Sequence, residues 1–154
     1  MVKEAFGADN LLELALSLNK YAGEYKEQTV KIQALLACDD EDSIFKIQDV
    51  LNRREALIKR YNKTSGEFKL EYSGYTNSGQ VPMEINATFN YLEQERQDIF
   101  HSIKDVDNRN LEKISELFNH SRGHIRQIEQ GKKLMNAYQS APHVSDGIFF
   151  DRRK

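Results

Sequence analysis

Few residues in this 154-residue chain stand at spacings that support chemistry. His120 and His124 lie four apart, with Glu116 one turn earlier, so on a helix the three share a face that a metal ion could use. They flank the apolar stripe and bring no fourth ligand, so a solvated helix face is expected, with no metal and no cofactor. Cys38 is the only cysteine. It follows an apolar run and precedes Asp39-Asp40-Glu41-Asp42, and acids do not activate a thiol, so a small buried residue is expected there. The four acids lack the loop spacing of a calcium hand and suit a turn followed by a new helix N-terminus. The chain has no phosphate-cradling Gly loop, no Gly-x-Ser-x-Gly and no His-Glu-x-x-His, so no enzyme is expected.

The totals point the same way. Charged residues make up 30% and apolar residues 39%, with no Trp and two Pro. Long helices with narrow apolar stripes and wet outer faces produce that balance. The formal net charge of -2 mixes both signs along the chain and leaves no basic stripe for a phosphate backbone, which argues against nucleic acid. One cysteine cannot build a disulfide framework. No signal-type N-terminal segment and no apolar stretch of membrane-spanning length are present, so a cytoplasmic protein is expected.

The elements follow from periodicity. Asn10, with Glu13 three residues on, predicts a capped helix start. Leu11, Leu18, Tyr25 and Ile32 then recur every seven residues, with Leu14, Ala15, Tyr21, Ala22, Leu35 and Leu36 between them, giving a helix over about 10–37. A second helix over about 40–63 carries Ile44, Ile47, Val50, Leu51, Leu57, Ile58 and Tyr61, and the short connection predicts an antiparallel return. Arg54 falls on its seam, where the stem can pack while the head reaches water or an acid. Residues 64–86 hold Gly66, Gly74, Gly79 and Pro82. Phe68, Leu70 and Tyr72 alternate there with polar residues, so a long irregular or hairpin segment is expected. The last helical region, about 86–140, keeps a seven-residue repeat to Val106 and resumes with a shifted phase at Leu111. With no Pro or Gly near 105–110, one continuous helix is expected, weakened later by Gly123 and Gly131. Pro142 ends it. The tail 141–154 is polar except for Ile148, Phe149 and Phe150, which should dock on the bundle, on a second subunit or on a partner. The fold expected is a single all-α domain over 1–154, long antiparallel helices in a coiled-coil-like bundle with a loose C-terminal tail.

Several segments resemble the flagellar export chaperones of the FlgN and FliT type. They are the long first helix before a short acidic stretch, Asp49-Val-Leu-Asn-Arg-Arg-Glu-Ala-Leu-Ile, Ile103-Lys-Asp-Val-Asp-Asn-Arg-Asn-Leu-Glu-Lys-Ile, and Met135-Asn-Ala-Tyr before a tail with Phe149, Phe150 and Asp151. The resemblance implies a cytoplasmic chaperone that covers the terminal helices of late export substrates, such as hook-associated or filament-cap proteins, and prevents premature assembly. It places client binding on the last helical region, at Ile114, Phe118, Ile125, Ile128 and Met135, and an export-gate contact at Tyr138. A coiled-coil scaffold without a secretion client is the other outcome of the same stripes; it would self-associate as a homodimer through the tail.

Overall fold

The computed structural model describes the backbone of residues 2–38, 40, 42–77, 79, 82–120 and 125–140; the side chains of residues 2–7, 118, 120, 125–128, 130 and 140 lie outside the description. Four helices account for nearly all of it: α1 (Val2–Leu36), α2 (Ser43–Asn77), α3 (Met83–His120) and α4 (Ile125–Ser140). The all-α bundle expected from periodicity is what forms.

The heptad positions of α1 are its buried ones. Leu11, Ala15, Leu18, Ala22, Tyr25, Thr29, Ile32 and Leu36 are inside, alternating three and four residues apart as a helix seam requires. Each fully buried Leu or Ile contributes about 2 kcal/mol relative to exposure. α1 begins at Val2, not near Asn10. Nothing in residues 2–9 stops a helix except Gly7, which costs only about 1 kcal/mol. Asn10, freed from capping, donates from Nδ2 to the Glu71 carboxylate on α2.

The acidic stretch turns the chain as expected. The Asp42 amide donates to Asp40 Oδ1 at 3.2 Å, and the Lys46 amide closes the first turn of α2 on the Asp42 carbonyl at 3.2 Å. Cys38 is exposed, contrary to expectation. α1 ends two residues before it, and its Sγ reaches only the Ala34 carbonyl at 3.5 Å.

The largest departure is at 64–86. Residues 64–77 continue α2 as helix, and only a short connection precedes Met83. The alternation of Phe68, Leu70 and Tyr72 was misleading, because Leu70 is 78% exposed. The true stripe is Tyr61, Ser65, Phe68, Tyr72 and Tyr75, buried or half-buried at spacings of three and four. Gly66 and Gly74 stand off this stripe, in open space, where glycine lowers helix propensity without breaking the helix.

The second departure is in the last region, which is two helices. No phase shift occurs at 105–110: Asn110 is buried and carries the α3 seam from Val106 to Ile114. The chain reverses instead between His120 and Ile125, across a stretch whose sequence includes Gly123. α4 then returns antiparallel along α3, bringing Tyr138 level with Asp107 and Asn110.

The packing order is a square. α1 lies against α2 and α3, and α4 lies against α3 and α2, so α1 faces α4 across one diagonal. At 1.5 Å per residue the 38-residue α3 is about 57 Å long and the 16-residue α4 about 24 Å. Among the described residues the bundle therefore has four helices at one end and three at the other. The four-helix end encloses Ile32, Leu36, Ile47, Val50, Leu51, Ile114, Leu134 and Tyr138. The three-helix end is built on Leu11, Leu18, Tyr61, Phe68, Phe89, Leu92 and Phe100, and is richer in rings.

The helical phase of 64–77 is directly testable. Phe68→Ala should lower stability by about 3 kcal/mol, and Leu70→Ala by less than about 0.5 kcal/mol, measured by urea unfolding followed by circular dichroism. Equal losses at both positions would contradict the helix.

Candidate functional site

Two constructions stand out, one at each end of the bundle. At the four-helix end Arg54 is 2% exposed, and its guanidinium is met from every helix. Nη1 and Nη2 donate to the two oxygens of Asp107 at 2.9 and 3.1 Å, a bidentate pair from α2 to α3. Nη2 also donates to the Tyr25 hydroxyl of α1, and Nη1 to the Tyr138 hydroxyl of α4 at 3.2 Å. The Tyr138 hydroxyl donates in turn to Asp107. Asn110 Nδ2 donates to that hydroxyl at 3.2 Å and to the Thr29 carbonyl at 3.3 Å. The guanidinium carbon stands 4.4 Å from the Tyr25 ring centroid and 5.3 Å from that of Tyr138, within cation–π range. Only Nε has no partner among the described residues.

Electrostatics agrees with the geometry. Burial works against the Arg54 charge, but the oxygens of Tyr25, Asp107 and Tyr138 outweigh it and hold its pKa above the ordinary value. Burial pushes the Tyr25 phenol up, with Arg54 pulling the other way. Burial and then the Asp107 carboxylate push Tyr138 up. Both phenols therefore stay neutral, able to donate, throughout the physiological range. Arg54, Tyr25, Tyr138 and Asn110 are buried and spend their polar atoms on one another, on Asp107 and on the Thr29 carbonyl, so the cluster ties the four helices together as a clamp.

At the three-helix end the groove between α2 and α3, on the side away from α1, has no fourth helix over it among the described residues. It is an open trough of about 470 Å³ lined by Phe68, Lys69, Tyr72, Ser73, Thr76, Phe89, Asn90, Glu93 and Arg96. Its floor is a ring cluster. Phe68 stacks on Tyr72 with centroids 5.6 Å apart, and Phe89 stands edge-on to both at 5.8 and 5.9 Å. Arg96 is buried at one end, donating to Asn19 Oδ1 at 2.9 Å, while Asn19 donates to the Leu92 carbonyl at 3.1 Å and to Glu95 at 2.9 Å. That polar link ties α1 to α3 and holds the trough's wall upright.

The residues singled out from sequence fall elsewhere. Ile114 is buried at the four-helix end, and Met135 packs half-buried against the same cluster. Tyr138 is 1% exposed, so in this arrangement its ring is not offered to a partner. Phe118 lies on α3, and Ile125 and Ile128 on α4, but their side chains are outside the described residues. Ile148, Phe149 and Phe150 are outside them altogether, as are the side chains of His120 and His124. Glu116 is exposed and reaches Lys113 at 3.9 Å. Among the described residues no His, Cys, Asp and Glu group could hold a metal ion, and no helix is long and apolar enough to cross a membrane.

Sequence reasoning placed Arg54 on a seam but did not find its partners. Asp107 and Asn110 look like ordinary surface residues until the helices are aligned. The trough was hidden by the loop expected at 64–86, although Phe68, Tyr72 and Tyr75 at helical spacing carried its signal.

Comparison of the chain with protein-family models finds no match, and comparisons with curated proteins and with solved structures find none either.

Two outcomes test the clamp. Arg54→Leu or Asp107→Leu alone should cost about 3–5 kcal/mol, because each leaves its partner desolvated and unpaired. The double variant should lose clearly less than the sum, read from a thermodynamic cycle of urea unfolding curves. Alkaline stability follows from the phenols. With folded pKa values raised above about 10, the unfolded chain gives up its protons first. Their contribution is complete below pH 10 and falls above it, by up to about 1.4 kcal/mol per pH unit per tyrosine. Tyr25→Phe with Tyr138→Phe should flatten that decline in a Tm-against-pH series.

Proposed function

We propose that this protein binds an amphipathic helix of a partner protein in the open trough between α2 and α3, and that it acts as an export chaperone of the FlgN and FliT type. One observation carries this: among the described residues, the groove between α2 and α3 beyond the end of α4 has no fourth helix over it. A four-helix packing buries apolar stripes on all sides. Here the groove between α2 and α3 beyond α4 is lined by Phe68, Tyr72 and Phe89, of which Phe68 and Phe89 are largely covered and Tyr72 is half-buried. The seat suits an occupant with an apolar face and charged flanks, since exposed Lys69 and half-buried Glu93 bring both signs to its walls.

The resemblance noted in the sequence supports the class of client. A terminal helix of an unassembled hook-associated or filament-cap subunit exposes such a stripe, and covering it prevents premature assembly. Ile114 and Met135 pack in the core with α4, so they are not offered to a client in this arrangement, and the proposal moves to the trough. An export-gate contact through Tyr138 would require α4 to lift and the Arg54 clamp to open, an expensive step.

Titration calorimetry with C-terminal helical peptides from late flagellar secretion substrates tests the proposal. Micromolar binding to one peptide with a negative heat-capacity change is expected. Ser73→Arg, an exposed substitution that fills the trough, should weaken it at least about tenfold with an unchanged melting curve. No heat from any such peptide, with the protein folded, would overturn the proposal.

A further inference from the structure

We propose that a second copy of this chain covers the outer face of α1, the two helices lying antiparallel about Gly23. The first support is a second seam. The buried positions of α1 face α2 and α3. On the opposite side of the helix Leu16, Gly23 and Val30 recur every seven residues, and Lys20, Glu27 and Ala34 stand four after each. That alternation of four and three is the spacing of a coiled-coil seam. Gly23 is half-buried and the other five are exposed, Leu16 at 50% and Val30 at 43%. Apolar side chains scattered singly over a surface are ordinary, as with Phe45 and Leu70 near opposite ends of α2. A row of them at heptad spacing on the back of a long helix is a packing surface.

The second support is the residue at the midpoint of the row. Gly23 lies in mid-helix, where glycine lowers helix propensity. A Cβ there would meet nothing within 4 Å, so packing within the chain places no demand for glycine. A second helix passing at that point makes use of it, because a missing side chain lets two backbones approach closely.

The third support is charge, and it selects the occupant. A two-fold axis at Gly23 sets Leu16 against Val30 of the second copy. It brings Lys20 within one residue of Glu27, about 1.5 Å along the axis, and exposed Glu13 within two residues of exposed Lys31. Each contact occurs twice by symmetry. A parallel pair would instead set Lys20 on Lys20 and Glu27 on Glu27, which like-charge repulsion opposes. The row is therefore complementary to itself in the antiparallel sense. The trough lies on the side away from α1, so both troughs of such a pair stay open.

Sedimentation equilibrium of the full chain, up to several hundred micromolar, tests the proposal. A monomer–dimer equilibrium with a micromolar Kd is expected. Lys20→Glu should weaken it at least about tenfold, as should Glu27→Lys, since each turns two attractive pairs into repulsive ones. The two substitutions together should restore the Kd to within about threefold of the wild type. Both side chains are exposed, so the fold should tolerate either change. Oxidation reads the direction. Gly23→Cys with Cys38→Ser should give a disulfide-linked dimer, whereas the native Cys38 thiols, about 45 Å apart in the antiparallel pair, should not. A chain that stays monomeric throughout would overturn the proposal. So would a dimer indifferent to the charge reversals, or cross-linking through Cys38 in place of position 23. The experiment contains no client peptide. Its failure leaves the partner-binding proposal standing, and silence in the calorimetry leaves the self-pairing standing.

Discussion

The arginine at the centre of the four-helix end constrains everything around it. A guanidinium at 2% exposure is tolerable only when its charge and nearly all its donors are met. Here one carboxylate, two phenols and two aromatic faces meet it, and they come from three other helices. Apolar stripes alone would let these helices slide by a heptad with modest loss, since one Leu layer resembles the next. A shift of seven residues, about 10 Å, would strand Arg54 among aliphatics and Asp107 in a half-dry surface without its partner. The clamp therefore penalises every register but one.

The division of the bundle follows from where α4 stops. Beside α4 the interior is aliphatic, with Ile32, Ile47, Val50, Leu51, Ile114 and Leu134 interdigitating at four-helix spacing. Past Ser140 there is no fourth element among the described residues, and larger side chains fill the interior. Tyr61 meets Phe100 edge-on at 5.5 Å, and the Phe68–Tyr72–Phe89 cluster closes α2 onto α3. Rings bridge the wider gap between diagonal helices where branched aliphatics would leave voids. They close it from below only, so the upper faces remain as the trough floor.

Much of this was legible in the residues, and the failures have specific causes. The α1 seam from Leu11 to Leu36 was visible because its positions are filled by apolar residues. The α3 seam looked broken because Asn110 occupies one of its positions; a paired polar residue is invisible to a search for apolar periodicity. The segment 64–77 was misread because the glycines stand off the stripe, while Phe68, Leu70 and Tyr72 imitate strand alternation over too short a window to decide. Only the alignment of three helices shows Leu70 facing out. The trough depends on how α2 and α3 diverge beyond the end of α4 among the described residues, and such a juxtaposition of distant segments leaves no local mark in sequence.

The two ends are also energetically separate. Arg54 and Tyr72 are eighteen residues apart on one helix, about 27 Å. On the proposed function, a partner helix would enter or leave the trough without disturbing the buried charge that sets the register, because the rings of the floor already pack among themselves and the rim residues Lys69, Ser73 and Asn90 are exposed. A binding surface that doubled as the register-setting core would have to rebuild the bundle at each release. With the clamp under α4 and the ring-lined trough beyond it, the proposed function would leave the same long helices rigid where they must align and would confine binding to the other end.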